Sequence, residues 1–581
     1  MTRQRPYFCP MHYTLSAPHP SSRFIHIQAR KEIRNPGPVE FQLSSWRPGR
    51  YELGHFAKNL RGMKAFGPMG EQLVIQKVTR DRWRIEEVMS GEITLEYEYH
   101  AAQPDAGACW LDEELMYVNP VHCFVFDPQA MDEAGAVELR IPPDWQVACA
   151  LPRSSHGILQ AADVDELLDS PFFASKSLHH KSYSVNDYQF HIWIHGDARP
   201  DWERILKDFS GFTEKQLEVM GGFPVPEFHF LVLLLPYRFY HGVEHKTSTV
   251  LALGPGYQLM QASLYSELLG VASHELFHVW NVKTLRPADF RDYDYTRENH
   301  SRLGWVYEGF TTYYGDHFLL RSGFFSPMAF FAEIETRLQR HVDNPGRFQS
   351  SVAESSWDTW LDGYVPGVPG RKTSIYDEGC LVALMLDLYI RRASSGKHSL
   401  DDLFRALYHE TLDQGYSEED LRRLAVRYAD EGVLRIFDEA IHVRNSYEDL
   451  LQEILSGVGC RIDYQPARLL HERRFGFRTI NEGNVCKVTT VLPNSPAAIA
   501  GLAKDDEIVA CNGWKVENNL TDRVGKEEGS CRLTIFSMKK EKQLVLEPLN
   551  GRWFDSVRIA KDLNAGTKQK ELFRHWTGSD W

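Results

Sequence analysis

His274 and His278 stand four positions apart, with Glu275 directly after the first, in the stretch SHELFHVWNVKTLRP. On a helix of 3.6 residues per turn the two imidazoles share one face, so both can reach a single ion. Glu275 is rotated by about 100° from His274, which lets its carboxylate touch a water on that ion without ligating the ion itself. Two nitrogen ligands with a carboxylate base beside them are what a zinc-dependent hydrolase needs. The apolar residues around them, Leu264, Leu268, Val271, Leu276, Val279 and Val282, predict a buried helix. A core helix that merely carries two histidines is the competing reading.

Catalytic zinc takes three protein ligands and keeps one position open. Positions 281 and 284 are Asn and Thr, so no histidine completes the set within the same segment. Asp289, Asp292, Asp294 and Glu298 follow closely, in a charged stretch that reads as a solvated loop. Glu308, further on, is flanked by Trp305, Phe310 and Tyr313, and a carboxylate among apolar residues needs a partner.

The elements that must position these groups come from a chain of 581 residues, 43% hydrophobic and 25% charged, long enough for three to four domains. Residues 1–195 are rich in β-branched and aromatic residues with partial alternation, as in FIHIQARKEI and EITLEYEYHA. They predict an antiparallel, sandwich-like β-domain. Residues 196–455 carry long helical patterns after a buried strand, EFHFLVLLLP, and segment 344–374 reads as a long loop rich in Gly, Pro and Ser. Short strands return over 456–550, and 551–581 reads as a tail to which no structure is assigned.

Net charge of −14 argues against a nucleic-acid partner. Nine cysteines without a CxxC pair argue against a disulfide framework and a thiolate zinc site. No signal peptide or membrane-length apolar run is seen, so a cytoplasmic protein without a membrane partner is expected.

HELFHVWNVKTLRP followed by WVYEGFTTYYGD resembles the glycyl aminopeptidase family of gluzincin zinc metallopeptidases. The resemblance implies a thermolysin-like catalytic domain over 196–455. One zinc per chain would be held by His274, His278 and Glu308, with Glu275 as general base and proton shuttle. Cobalt or manganese could occupy such a site in vitro. It also implies an oxyanion-stabilising tyrosine, matched by Tyr376 in IYDEG, where the family's usual YxKG has Glu378 in place of lysine; Tyr364 and Tyr313 are the alternatives. YHGVEHKTST resembles the family's substrate-binding segment, so Glu244 would hold the substrate ammonium, and Gly242 and Val243 would pair with its backbone. A glutamate on a plain sheet edge is the other reading of Glu244.

Residues 473–516 resemble a PDZ domain, with Phe475, Gly476 and Phe477 as the loop that clamps a peptide C-terminus. The expectation is thus a multidomain α+β zinc aminopeptidase removing small N-terminal residues, glycine or alanine, from peptides with a free N-terminus. A zinc endopeptidase and a non-catalytic peptide-binding scaffold are the alternatives.

Overall fold

The computed structural model describes residues 11–365, 367–525 and 529–581. Cys9 lies outside them, as does Pro366 in the segment read as a loop. The chain divides into two compact units: Met1–Phe330 with Val352–Gly367 and Ser374–Phe437, and Phe331–Ser351 with Val368–Thr373 and Asp438–Trp581.

The first unit opens with strands whose alternation is plain. In Phe24–Ile33, Ile25, Ile27 and Ala29 point inward while their neighbours meet solvent. This strand lies within a seven-stranded sheet, and a four-stranded sheet containing Gly37–Leu43 and Arg82–Val88 shares its core. Tyr13, Ile25 and Leu95 pack in the same cluster as Phe41 and Ile85. One pairing departs from the antiparallel expectation: Met11–Ser16 runs parallel to Gly135–Arg140.

The boundary expected at 195 falls inside a sheet. His179–Val185 and Tyr188–His195 join a five-stranded mixed sheet whose further strands, in spatial order, are Glu227–Leu234, Ser248–Gly254 and Phe239–Glu244. Alternating strands at 179–195 look the same whichever sheet they enter, so composition could not assign them. Glu227–Leu234 is buried at every position after the first, as a strand covered on both faces must be. Its parallel pairing with Tyr188–His195 needs a crossover. Helix Trp202–Met220 supplies it, N-capped by the Asp201 side chain and ended by Gly221 in the left-handed conformation. Phe239–Glu244 pairs only with Ser248–Gly254, which makes it an edge strand.

Helices Ala262–Phe277, Gly309–Arg321 and Ile375–Ala393 follow. The helix predicted to include Val279 and Val282 ends earlier, at Phe277, and Val282 has φ +100°. The supposed loop contains two helices, Val352–Trp357 and Thr359–Asp362. Val352, Ser355, Ser356 and Thr359 are buried at helical spacing. The Ser356 and Thr359 hydroxyls donate to the carbonyls of Val352 and Ser355, at 2.8 and 3.0 Å. A stripe made of hydroxyls satisfied this way carries no hydropathy signal.

In the second unit, Phe477–Glu482, Val485–Val491, Glu507–Cys511, Cys531–Ser537 and Lys540–Leu546 pair in that order, and Trp514–Lys515 pairs with Glu507–Cys511. Phe475, Phe477, Val488, Leu533 and Ile535 form the core. Ser495 caps the short helix Pro496–Ile499, expected from NSPAAIAGL. The tail is ordered: Ser556–Lys561 pairs antiparallel with Cys460–Gln465, and Thr567–Thr577 is helical. Seven of the eight described cysteines are buried, and Cys511 Sγ lies 3.3 Å from Cys531 Sγ. No helix among the described residues is long and apolar enough to cross a membrane.

Candidate metal and catalytic site

Helix Ala262–Phe277 is buried nearly all round, which answers the opening ambiguity about its environment but not about its histidines. Leu268, Leu276 and Phe277 have essentially no solvent contact and contribute roughly 1.5–3 kcal/mol each. Polar clips fix the helix axially: the Ser273 hydroxyl donates to the Gly315 carbonyl at 2.8 Å, and the Gln216 amide donates to the Ser273 carbonyl at 2.9 Å.

His278 follows the last helical residue, and its Nδ1–H donates to the Asn281 carbonyl at 2.9 Å. That bond leaves the Nε2 lone pair free to ligate. The Asn281 amide donates in turn to the Val306 carbonyl and the Thr311 hydroxyl, both at 3.0 Å. One buried side chain therefore ties the end of the histidine helix to the segment carrying Glu308.

Glu308 sits between helices Gly304–Tyr307 and Gly309–Arg321. Its Oε2 lies 3.5 Å from His278 Nε2 and 3.9 Å from His274 Nε2, and the two imidazole nitrogens are 3.0 Å apart. A tetrahedral zinc about 2.05 Å from each ligand would space ligand atoms about 3.3 Å apart, so the three fit one ion. Asp289, Asp292, Asp294 and Glu298 join no such group among the described residues. Asp289 accepts from Ser301, and Asp294 from Thr296 and Arg297.

Glu244 and Glu275 form a second group with His278, their ligand atoms all within 4.8 Å of one another. Three carboxylates, each at most 5% exposed, thus converge here. Glu244 Oε1 and Glu275 Oε2 are buried without a hydrogen-bond partner. Buried like charges with unpartnered oxygens are costly unless a cation joins them. Burial raises the Glu275 pKa well above its ordinary value; His278 opposes the rise, and Glu244 and Glu308 add to it. Burial acts against the charged form of His278, yet the Glu308 hydrogen bond and the surrounding carboxylates push its pKa up to about 10.

Glu244 ends the edge strand Phe239–Glu244. At Gly242 of that strand any Cβ would strike Glu275 Oε1 and lie 2.5 Å from Val271, so glycine is what lets the strand approach the helix. Val243 turns its side chain into the core. Tyr376 lies within the first turn of helix Ile375–Ala393, which is capped by Ser374. Its phenol lies near that of Tyr364, and burial and the nearby Glu308 raise its pKa well above that of a free tyrosine. Of the alternatives, Tyr364 is therefore part of the site. Tyr313 is not, since its hydroxyl donates to the buried Asp387 at 2.7 Å.

Helices Gly309–Arg321 and Ile375–Ala393 touch through Gly309 and Gly379. A Cβ at 309 would lie 2.9 Å from the Cys380 nitrogen and closer still to Gly379. Gly309→Ala should therefore destabilise the fold by about 1–3 kcal/mol and weaken zinc binding through the adjacent Glu308. Melting temperature and zinc titration measure the two effects; an unchanged pair would mean the crossing is not tight.

Three contributions come from the N-terminal β-domain and were not foreseen. Gly49, in the turn RPGR, has φ +78°, and a Cβ there would collide with the Glu244 carboxylate. Tyr51 sits beside Glu308 and lowers its carboxyl pKa against the effect of burial. Asp169 accepts from the Lys283 ammonium at 2.8 Å, pairs with His245 Nδ1 at 3.0 Å and accepts from the Lys246 N–H at 2.9 Å. Arg286 stacks over Tyr293 and reaches Asp165 at 3.3 Å. Lys283 and Arg286, both within HELFHVWNVKTLRP, thus anchor the chain leaving the candidate metal site to the β-domain. A glycine turn and one aspartate carry no signal that could have flagged them in advance.

The expected C-terminal carboxylate loop is not built as such. Phe475 ends helix Leu470–Phe475, Gly476 caps it with its N–H donating to the Glu472 carbonyl at 3.0 Å, and Phe477 begins a strand. The Gly476 carbonyl accepts from the Leu492 N–H at 2.9 Å. With that donor engaged in a helix cap, a carboxylate would meet no free cradle at Gly476.

The crystal structure of an aminopeptidase N family protein from Idiomarina loihiensis is similar over 98% of this chain and 100% of its own, with TM-score 0.89 and 23% identity. An M1 zinc metallopeptidase from Deinococcus radiodurans is similar over 75% of this chain and 94% of its own, with TM-score 0.45 and 13% identity. No curated protein matches the chain. Residues 12–176 match the model of the Peptidase M61 N-terminal domain, and residues 267–382 that of the M61 glycyl aminopeptidase, so both the β-domain and the segment with the metal-site residues are matched by models of M61 peptidases.

Proposed function

We propose that the protein is a zinc-dependent aminopeptidase that removes residues one at a time from peptides with a free N-terminus. The M61 matches support a peptidase. The observation that carries the exopeptidase reading is Glu244. Its carboxylate ends an edge strand within reach of Glu275 and His278, with one buried oxygen unpartnered. A fixed carboxylate beside the metal ligands is what a substrate ammonium would pair with.

His274, His278 and Glu308 would hold the zinc. Zinc bound there supplies Lewis acidity toward a water and toward the scissile carbonyl. Glu275 takes a proton from that water and delivers it to the leaving amine nitrogen. Tyr376 donates its O–H to the oxygen of the tetrahedral intermediate, with Tyr364 orienting it. The unpaired side of the edge strand at Gly242 and Val243 aligns the substrate backbone as an added strand. Glu244 fixes the register, so that the first peptide bond is the one presented.

A preference for glycine or alanine belongs to the same reading and to the M61 match. The second unit's six-stranded sheet is read as the PDZ module, without a carboxylate clamp at 475–477.

Hydrolysis of Gly-Ala-amide and of its N-acetylated twin, in wild type and in Glu244→Ala, tests the assignment. Cleavage of the free amine alone, falling at least about 100-fold in the variant, is the expected result. Equal cleavage of both compounds would make the protein an endopeptidase, and cleavage of neither with zinc bound would favour the scaffold. Tyr376→Phe should lower kcat by about 10²-fold or more with little change in KM; an unaltered kcat would move the oxyanion role to Tyr364.

A further inference from the structure

We propose that Asp169, on the N-terminal β-domain, is the positioning residue for Glu244: it fixes that carboxylate relative to the metal ligands and so sets the exopeptidase register. The inference rests on the ammonium role proposed above for Glu244. Glu244 Oε1 is buried without a hydrogen-bond partner, so the placement of that carboxylate depends on the backbone that carries it. That backbone turns back at once. The His245 N–H donates to the Ser248 carbonyl at 3.0 Å, and the Thr249 hydroxyl to the Val243 carbonyl at 2.9 Å. The turn ends an edge strand, which has a neighbouring strand on one side alone. A lateral anchor must therefore come from outside the sheet, and Asp169 supplies one.

Asp169 caps the C-terminus of the short helix Val164–Leu168, its N–H donating to the Asp165 carbonyl at 3.0 Å. Its carboxylate reaches two separate stretches of the catalytic segment. Oδ1 accepts from His245 Nδ1 at 3.0 Å and Oδ2 from the Lys246 N–H at 2.9 Å, directly after Glu244. Oδ1 also accepts from the Lys283 ammonium at 2.8 Å. The Lys283 backbone N–H donates in turn to the His278 carbonyl at 3.0 Å. One carboxylate thus joins the backbone beside the ammonium anchor to the backbone of a proposed zinc ligand. Asp169, His245 and Lys283 are all buried. Burial acts against a charge on Asp169, yet Lys283 and His245 hold its pKa well below the usual carboxylate range. A buried ion pair adds little net stability over apolar packing, but charge-assisted bonds to one rigid carboxylate specify geometry. Register in an exopeptidase is such a geometry, and misplacing a group by about 1 Å can cost about 10²-fold in rate.

Inhibition constants for glycine hydroxamate and acetohydroxamate, two zinc-binding compounds that differ in the amino group, test this on the zinc-loaded full chain. Wild type should bind glycine hydroxamate more tightly, and Glu244→Ala should remove that preference. In Asp169→Asn the preference should fall by about 10-fold or more, with acetohydroxamate inhibition and zinc content unchanged. That variant leaves the Lys283 ammonium buried alone, which can unfold the chain. Asp169→Asn/Lys283→Met removes both charges together, and the same loss of preference is expected in it. A merely structural role would weaken both inhibitors alike or shed zinc, and either result would overturn the proposal. So would the wild-type preference retained in the folded double variant but lost in Glu244→Ala, which leaves the aminopeptidase reading intact. Wild type indifferent to the amino group would instead remove the ammonium role of Glu244, and this inference with it.

Discussion

Glu275→Gln is expected to lower kcat by about 10³-fold or more while zinc content stays at its wild-type level. Glutamine keeps the size and shape of the side chain, and the space around residue 275 is tight. Gly242 and Val271 press against it, and the residue is 5% exposed. What is lost is the capacity to accept a proton. Glu275 Oε2 has no hydrogen-bond partner in the protein, so the change breaks no hydrogen bond made by that oxygen. KM should move little, since the substrate ammonium is assigned to Glu244. Metal analysis alongside steady-state kinetics separates the outcomes. Retained turnover would remove Glu275 from the proton-transfer role, and loss of zinc would make it a ligand.

Glu308→Ala is expected to weaken zinc binding by more than about 100-fold and to reduce turnover in parallel. Changes to groups that merely support a ligand already cost about 10–100-fold, and Glu308 is the residue assigned as the third ligand itself. Its buried carboxylate is also the hydrogen-bond partner that keeps the His278 pKa high; without it, burial favours neutral His278. Wild-type zinc occupancy in the variant would shift the third-ligand assignment to Glu244 or Glu275, which form the other metal-capable group with His278. Zinc titration monitored by competition with a chelator gives the affinity, and a melting curve without metal confirms that the variant is folded.

The residues in these two experiments were readable from the chain because their relation is local or chemically conspicuous. Spacing of four on a helix places His274 and His278 on one face whatever the rest of the fold does. A carboxylate between Trp305 and Phe310 is an anomaly that calls for a partner. Where signals were compositional, they misled. The segment 344–374 looked like a loop because hydroxyls, not apolar side chains, line its helices. The FGFR stretch looked like a carboxylate cradle because Gly476 suits a helix cap equally well.

By itself, then, the sequence determined the pair of histidines, the base beside them, the third ligand's candidacy and the alternation of β-rich and helical regions. These follow from periodicity and from the cost of burying a charge. Only the tertiary structure decided that Gly49 closes over Glu244, that Tyr51 sits beside Glu308, that Asp169 ties Lys283 to His245, and that Tyr364, not Tyr313, accompanies Tyr376. The contacts of Gly49 with Glu244, Tyr51 with Glu308 and Asp169 with Lys283 join residues more than a hundred positions apart through chain reversals that leave no periodic trace. A glycine, a tyrosine or an aspartate gains its role there from what the fold brings against it, not from its neighbours in the chain.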